Sequence, residues 1–338
     1  MPKTNETLAI TPTQADAAVQ TCLCLLLLIL GVLGNGMICF FVWRFKSFRT
    51  IPNILLTNLA TVDLLNIIII VPLSILSLVY DVKALRTKSA AWWTALVLAV
   101  FFYLNLASML LLVVDRYFAL AHPIRYISWK SHSKTFCGIC AAWIYSLLFT
   151  GYLSIALRDI ELVGKSYRYY FIEYLKGLDF RKYLLPGLVV VVGLIIVFSS
   201  LTVREILRKS LFKTAENGLR SSGSKTKTSK KVNSACTIMI VLLAYIVSVA
   251  GRISFSFASL KSNEPSQWYI FLAHFCVFCG STCNSFIYAA RSTEFRKAWR
   301  ETFKFKKPFK SQVQDSQKKA GKVFYINDVF GKKVVVVQ

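Results

Sequence analysis

The chain is short of charge, and shortest of acid: 17% of its 338 residues are charged, and Asp and Glu together number 16. A soluble globular domain carries about 25% charged residues, so a surface that faces water over the whole chain is excluded. Histidine is scarcer still, with 3 residues, and no cluster of His, Cys, Asp and Glu has metal-ligand spacing. There is no Ser-His-Asp arrangement and no glycine loop that would cradle a phosphate, so the chain is read as not being an enzyme. The polar stretch Met1 to Asp16 lacks a basic region and a small-residue cleavage site, which argues against a cleaved signal peptide. Internal repeats are missing too, which counts against a transporter, a class usually built from repeated halves.

What the chain has instead is apolar length. Hydrophobic residues make up 55% of it and the mean hydropathy is +0.54. A helix needs about 20 apolar residues to cross the bilayer core, and seven such stretches occur, at 19–43, 52–80, 90–121, 135–157, 183–206, 232–260 and 268–290. The expected fold is all-α: a seven-transmembrane helix bundle with a short amphipathic helix after the seventh span. The parts are an extracellular amino terminus (1–18), the bundle (19–290), an interfacial helix (291–303) and a basic cytoplasmic tail (304–338). In the interfacial helix Phe295, Trp299 and Phe303 recur at helical spacing against Arg296, Lys297 and Arg300. The tail is expected to be disordered up to a β-prone end, Val334 to Val337.

The net charge of +25 does not point to nucleic acid, because of where it sits. Of 41 Lys and Arg, 29 fall in the loops after spans 1, 3 and 5 and in the tail, 11 fall on the other side, and Arg252 lies within a span. Basic residues gather in cytoplasmic loops, so the amino terminus is expected outside and the carboxyl terminus inside the plasma membrane. The same charge attracts anionic membrane lipid. Asn5-Glu6-Thr7 is a glycosylation sequon on the expected outer side. All nine cysteines lie in or at the edges of spans, and the CxxC spacings at Cys137–Cys140 and Cys276–Cys279 read as packing rather than redox or metal chemistry.

Several spans carry polar residues that a lipid-facing helix would avoid. Asp63 alone costs about 2.5–3.5 kcal/mol at a helix centre, so it is expected to face the bundle interior. Its available partners are Asn35, Asn105, Ser281 and Asn284. One carboxylate among neutral oxygens describes either interhelical hydrogen-bond glue or a site for a small monovalent cation. Asp63, Asn105, Ser281 and Asn284 are the candidate sodium ligands, and no other cofactor is expected.

In order and at the family's spacing, several segments resemble signatures of the rhodopsin-like (family 1, class A) G protein-coupled receptors. They are Gly34-Asn35, Leu59-Ala60 with Asp63, Asp115-Arg116-Tyr117 with Pro123 and Tyr126, Trp143, Pro186, and Asn284-Ser285-Phe286-Ile287-Tyr288. The resemblance covers about residues 34–288 and runs on to Phe295. It implies a cell-surface receptor for an extracellular ligand that acts on a heterotrimeric G protein. It makes Asp115, Arg116, Tyr117, Asn284 and Tyr288 the activation switch, with Arg116 the central cytoplasmic contact.

The chain also departs from the family. Ser248, Val249 and Gly251 stand where CWxP is usual in span 6, and Ser285 replaces the NPxxY proline. Gly251 is read as a weak point in place of the proline. Lys231 occupies the place of the span 6 acid that often restrains the Asp-Arg pair, so a weaker resting lock and raised basal activity are expected. Ala91 and a cysteine-free 158–182 exclude the usual outer disulfide, and no other is expected. An aromatic clasp between Trp92, Trp93 and the tyrosines at 167, 169, 170 and 174 is expected in its place.

Leu98 and Phe278 occupy the positions that hold the amine-binding Asp and the retinal Lys in other family members, which argues against both ligand types. The candidate pocket consists of Leu98, Phe102, Tyr103, Arg252, Phe255 and His274. Arg252 reads either as a side chain snorkelling to the headgroups or as the partner of a ligand carboxylate or phosphate. His274 reads as a structural histidine or a pocket residue. A small acidic, lipid-like or peptide ligand fits this set. The rival readings are a scaffold or decoy seven-helix receptor that does not signal and, less favoured, a transporter.

Overall fold

The computed structural model of the chain describes residues 13–80, 82–158, 185–216, 225–261, 267–302, 323–327 and 333–337. Seven of its helices are long and apolar enough to span a membrane. They are α1 (Gln14–Arg44), α2 (Ile51–Ser74), α3 (Lys88–Ala121), α5 (His132–Arg158), α6 (Leu185–Glu216), α7 (Lys225–Lys261) and α8 (Gln267–Arg291), here called spans 1 to 7. A short helix, α4 (Pro123–Trp129), lies between spans 3 and 4.

Local chemistry sets several of the boundaries. Thr13 caps span 1, its hydroxyl accepting from the Asp16 amide at 3.1 Å. Pro52 sits in the first turn of span 2, where its missing N–H costs nothing. Pro72 removes a backbone donor near that span's far end, and the helix passes there into a π-helical turn, Ile75–Val79. Thr87 caps span 3, accepting from the Ala90 amide at 3.2 Å. Pro123 opens α4 directly after span 3.

Span 3 is the central post, packing against spans 2, 4, 5 and 6, while span 7 packs on spans 1 and 6. The outer faces of spans 4 and 5 leave Leu147, Leu148, Val189, Val190 and Ile196 exposed. Lipid chains are as apolar as these side chains, so a bilayer accepts them without cost.

Two departures in the sequence acquire a structural reason. Spans 6 and 7 approach so closely that a Cβ on Gly280 would lie 3.0 Å from Ser248 Cβ, and one on Gly251 would lie 2.8 Å from Cys276 Sγ. Ser248 and Gly251 therefore form half of a small-residue seam, the device by which membrane helices bring their backbones together. Gly251 serves close packing here rather than a bend, and span 6 runs as one helix from Lys225 to Lys261. Likewise a Cβ on Gly34 would overlap Ser285 Oγ and lie 2.9 Å from Ser285 Cβ. A serine in place of proline keeps span 7 unbroken, with Ser285 Oγ donating to the Thr282 carbonyl at 2.9 Å.

The chain divides into two units, Met1–Ser292 and Thr293–Gln338. The second holds α9 (Thr293–Thr302), where Lys297 and Glu301 form an exposed pair at 3.9 Å. It also holds two antiparallel strands, β1 (Val323–Asn327) and β2 (Lys333–Val337), with Tyr325 opposite Val335. The β-prone end of the tail is thus one arm of a strand pair, favoured by its run of β-branched valines. Phe303 and the tyrosines at 167, 169, 170 and 174 lie outside the described residues. So does Asn5, and the side chain of Lys231 is not described.

Candidate functional site

Asp63 sits at the centre of the bundle with no exposed surface. A buried carboxylate is tolerable only when donors reach it, and two spans supply them. Asn105 Nδ2 donates to Oδ1 at 2.8 Å from span 3, and Asn284 Nδ2 donates to Oδ2 at 2.9 Å from span 7. Span 1 joins the centre through Asn35, whose Nδ2 donates to the Ser281 carbonyl at 3.1 Å and to Gly31. Asn66, one turn beyond Asp63 on span 2, donates to Ser281 Oγ at 3.4 Å. The four sequence-derived residues are therefore gathered at one place. The side-chain oxygens of Asn105 and Asn284 are buried there without hydrogen-bond partners. Neutral oxygens beside one carboxylate are the donor set of a hard monovalent cation, and a transition metal, which favours thiolate or imidazole, finds no ligands here.

Nearer the start of span 2, Asn58 ties three spans together. Its Nδ2 donates to Ser108 Oγ at 2.8 Å, and its Oδ1 accepts from Trp143 Nε1 at 3.2 Å.

At the end of span 3 that leads into α4, Arg116 is buried, with 6% of its surface exposed. A buried guanidinium needs partners on several sides. Asp115 Oδ2 accepts from its Nη2, and Nη1 donates to Ser234 Oγ on span 6 at 2.8 Å. Asp115 is held in turn by Tyr126 of α4, whose hydroxyl donates to Oδ1 at 2.7 Å. Burial and the adjacent Asp115 carboxylate push the Tyr126 phenol above its ordinary range, so it stays a donor at every physiological pH. Tyr288 of span 7 is buried within electrostatic reach of both Arg116 and Asp63. Tyr117 turns from Arg116 toward span 5, its ring 5.5 Å from that of Phe198. Arg291 Nε donates to Thr237 Oγ1 at 3.2 Å, tying the last turn of span 7 to span 6.

Sequence reasoning looked for the span 6 restraint at Lys231 and missed Ser234. The only available signal was a small hydroxyl residue three positions further along the same helix. It also passed over Ile124, which is 84% exposed on α4 immediately after Pro123.

The half of the bundle away from Arg116 is less convergent than expected. Leu98 belongs to the apolar cluster that includes Phe271 and Phe278. Tyr103 turns instead into the interface of spans 3 and 4, its ring 6.1 Å from Tyr145 and 5.8 Å from Phe149, and Phe102 packs against the same cluster. His274 is buried, with Nδ1 donating to the Ile270 carbonyl at 2.9 Å, which fits the structural reading of that residue. Arg252 is half-buried on span 6, close enough to act electrostatically on His274 and Tyr245, and Phe255 is half-buried one turn above it. Trp92 and Trp93 meet edge to face at 4.8 Å, and Trp92 also packs on the span 3–span 4 cluster. All nine cysteines are free thiols.

Comparison with known proteins matches residues 34–288 to the family model of the 7 transmembrane receptor (rhodopsin family). The allatostatin-A receptor of Bombyx mori is 23% identical over 294 residues, covering 83% of this chain and 78% of that protein. The somatostatin receptor type 5 of Bos taurus is 23% identical over 329 residues, covering 89% and 80%. The adenosine receptor A2a of Canis lupus familiaris is 21% identical over 323 residues, covering 84% and 73%.

Proposed function

Since the chain belongs to the rhodopsin family of seven-transmembrane receptors, we propose that it carries the binding of an extracellular ligand to a heterotrimeric G protein. It is a multi-pass membrane receptor and not an enzyme. The observation that carries the signalling reading is the bond from Arg116 to Ser234. A charged donor on span 3, buried and clasped by Asp115, reaches a neutral hydroxyl on span 6. Such a bond holds two spans together at rest and can be given up at modest cost, since a hydrogen bond to a charged group contributes about 1.5–3 kcal/mol. Opening the cytoplasmic end then frees the guanidinium for a partner. The test is G protein recruitment without ligand in cells expressing the wild type or Arg116→Ala, with ion flux recorded in parallel. Ion flux without recruitment would favour the transporter reading, and neither signal would favour a scaffold or decoy.

The ligand is read from chemistry alone, because the relatives are named for substances as different as allatostatin-A, somatostatin and adenosine. Arg252, half-buried among Phe255, His274 and Tyr245, favours a ligand that presents an acidic group.

The orientation follows from the basic asymmetry, with the amino terminus outside. An epitope tag at residue 2 is expected to stain on intact cells, and one at residue 338 only after permeabilisation. The reverse staining would overturn the orientation.

The polar centre is read as a sodium site. Raising sodium is expected to shift agonist affinity in the wild type and not in Asp63→Asn, which keeps the shape and removes the charge. An equal response in both proteins would reduce the centre to hydrogen-bond glue between spans 2, 3 and 7.

A further inference from the structure

A cleft of about 110 Å³ opens where the cytoplasmic ends of spans 2, 3 and 4 meet α4. Its wall is mostly apolar, with Ile51, Leu55, Leu111 and Phe118 prominent, and Lys130 and Lys134 stand at its mouth. Both lysines are exposed and lie over aromatic rings: Lys130 Nζ is 5.9 Å from the Tyr126 centroid, and Lys134 Nζ is 5.5 Å from that of Trp129. Ile127 and Trp129 of α4 are exposed beside them. A greasy slot lined by two exposed ammonium groups, at the ends of three membrane spans, has the chemistry to receive an amphiphile with an anionic head.

We propose that this cleft binds an anionic membrane phospholipid, with acyl chain against Leu111 and Phe118 and headgroup on Lys130 and Lys134. Asp115 also lines the cleft, but its oxygens already accept from Tyr126 and Arg116, so its charge is turned inward and neutralised. The occupant packs against the Tyr126 ring, and Tyr126 is the residue that positions Asp115. Bound lipid therefore steadies the Asp115–Arg116 pair and the resting contact with span 6. The choice of a membrane lipid rather than a soluble anion rests on the apolar wall and on the basic loop being cytoplasmic, as proposed above.

The test is native mass spectrometry of the full-length protein, released from nanodiscs of phosphatidylcholine containing phosphatidylserine. Two variants separate head from tail. Lys130→Gln with Lys134→Gln removes the charge and keeps side-chain length. Gly138→Val narrows the cleft, and its Cβ would meet only Leu111 Cδ2, at an ordinary 3.4 Å. The wild type is expected to retain phosphatidylserine over phosphatidylcholine. The double variant should hold it about thirtyfold less tightly, the effect of two basic residues at an anionic surface. Gly138→Val should lose it with both lysines intact, and soluble glycerophosphoserine should not compete. Thermal unfolding of the variants at the wild-type temperature excludes misfolding as the cause. Equal retention by all three proteins would overturn the proposal, as would equal retention of phosphatidylcholine or displacement by the soluble headgroup. A lipid-free dimer would overturn it in favour of a face between copies of the chain.

Discussion

Gly280→Val and Gly34→Val are each expected to remove most of the protein from the cell surface, while Gly36→Val leaves it there. The three glycines look alike in sequence, each in an apolar span, and differ only in what a side chain would meet. A Cβ on Gly280 would lie 2.8 Å from Ser248 Oγ and 3.0 Å from its Cβ, and one on Gly34 would overlap Ser285. A Cβ on Gly36 would meet nothing within 4 Å. The partner serines are themselves held, Ser248 Oγ donating to Ala244 and Ser285 Oγ to Thr282. Neither can swing aside without losing that bond. Overpacking of this kind costs about 1–3 kcal/mol, a large share of the roughly 5–15 kcal/mol that holds a native protein together. Surface staining of permeabilised and intact cells measures the effect. Normal staining of Gly280→Val would mean that spans 6 and 7 do not rely on the close seam.

The second large effect concerns the lock. Ser234→Ala removes the only span 6 acceptor found for Arg116 among the described residues, so ligand-free signalling is expected to rise. Ser234→Asp should lower it, because a carboxylate turns the 2.8 Å bond into an ion pair. A charge-assisted bond of about 1.5–3 kcal/mol corresponds to a change of roughly tenfold to a hundredfold in the resting equilibrium. Ligand-free second-messenger output at matched surface expression is the measurement. If both substitutions move it in the same direction, Ser234 acts through packing rather than as Arg116's acceptor.

The spans were legible because twenty apolar residues in a row have one stable use, and the polar centre because Asp63 cannot lie in lipid alone. Asn105 and Asn284 follow from the same cost. The partner of Arg116 was not legible: Ser234 lies 118 residues away, and a hydroxyl in a helix carries no sign of what it faces. Tyr103 was misplaced for a related reason. Span 3 is buried nearly all round, with Tyr103, Leu104 and Met109 all at or near zero exposure, so no apolar stripe marks which side looks into the bundle. Gly251 was read as a weak point in place of a proline, whereas its use is contact with Cys276. Small residues are silent in sequence until the neighbouring helix is in place.

The central claim is that this bundle signals through Arg116, and ligand-free G protein recruitment tests it most directly. Cells expressing the wild type are compared with Arg116→Ala and with mock-transfected cells, at equal surface expression. The account predicts recruitment above mock for the wild type, because the span 6 restraint is a hydroxyl rather than a carboxylate, and none for Arg116→Ala. Recruitment that survives in Arg116→Ala, or a wild type that never rises above mock even when Ser234→Ala frees the guanidinium, would contradict it.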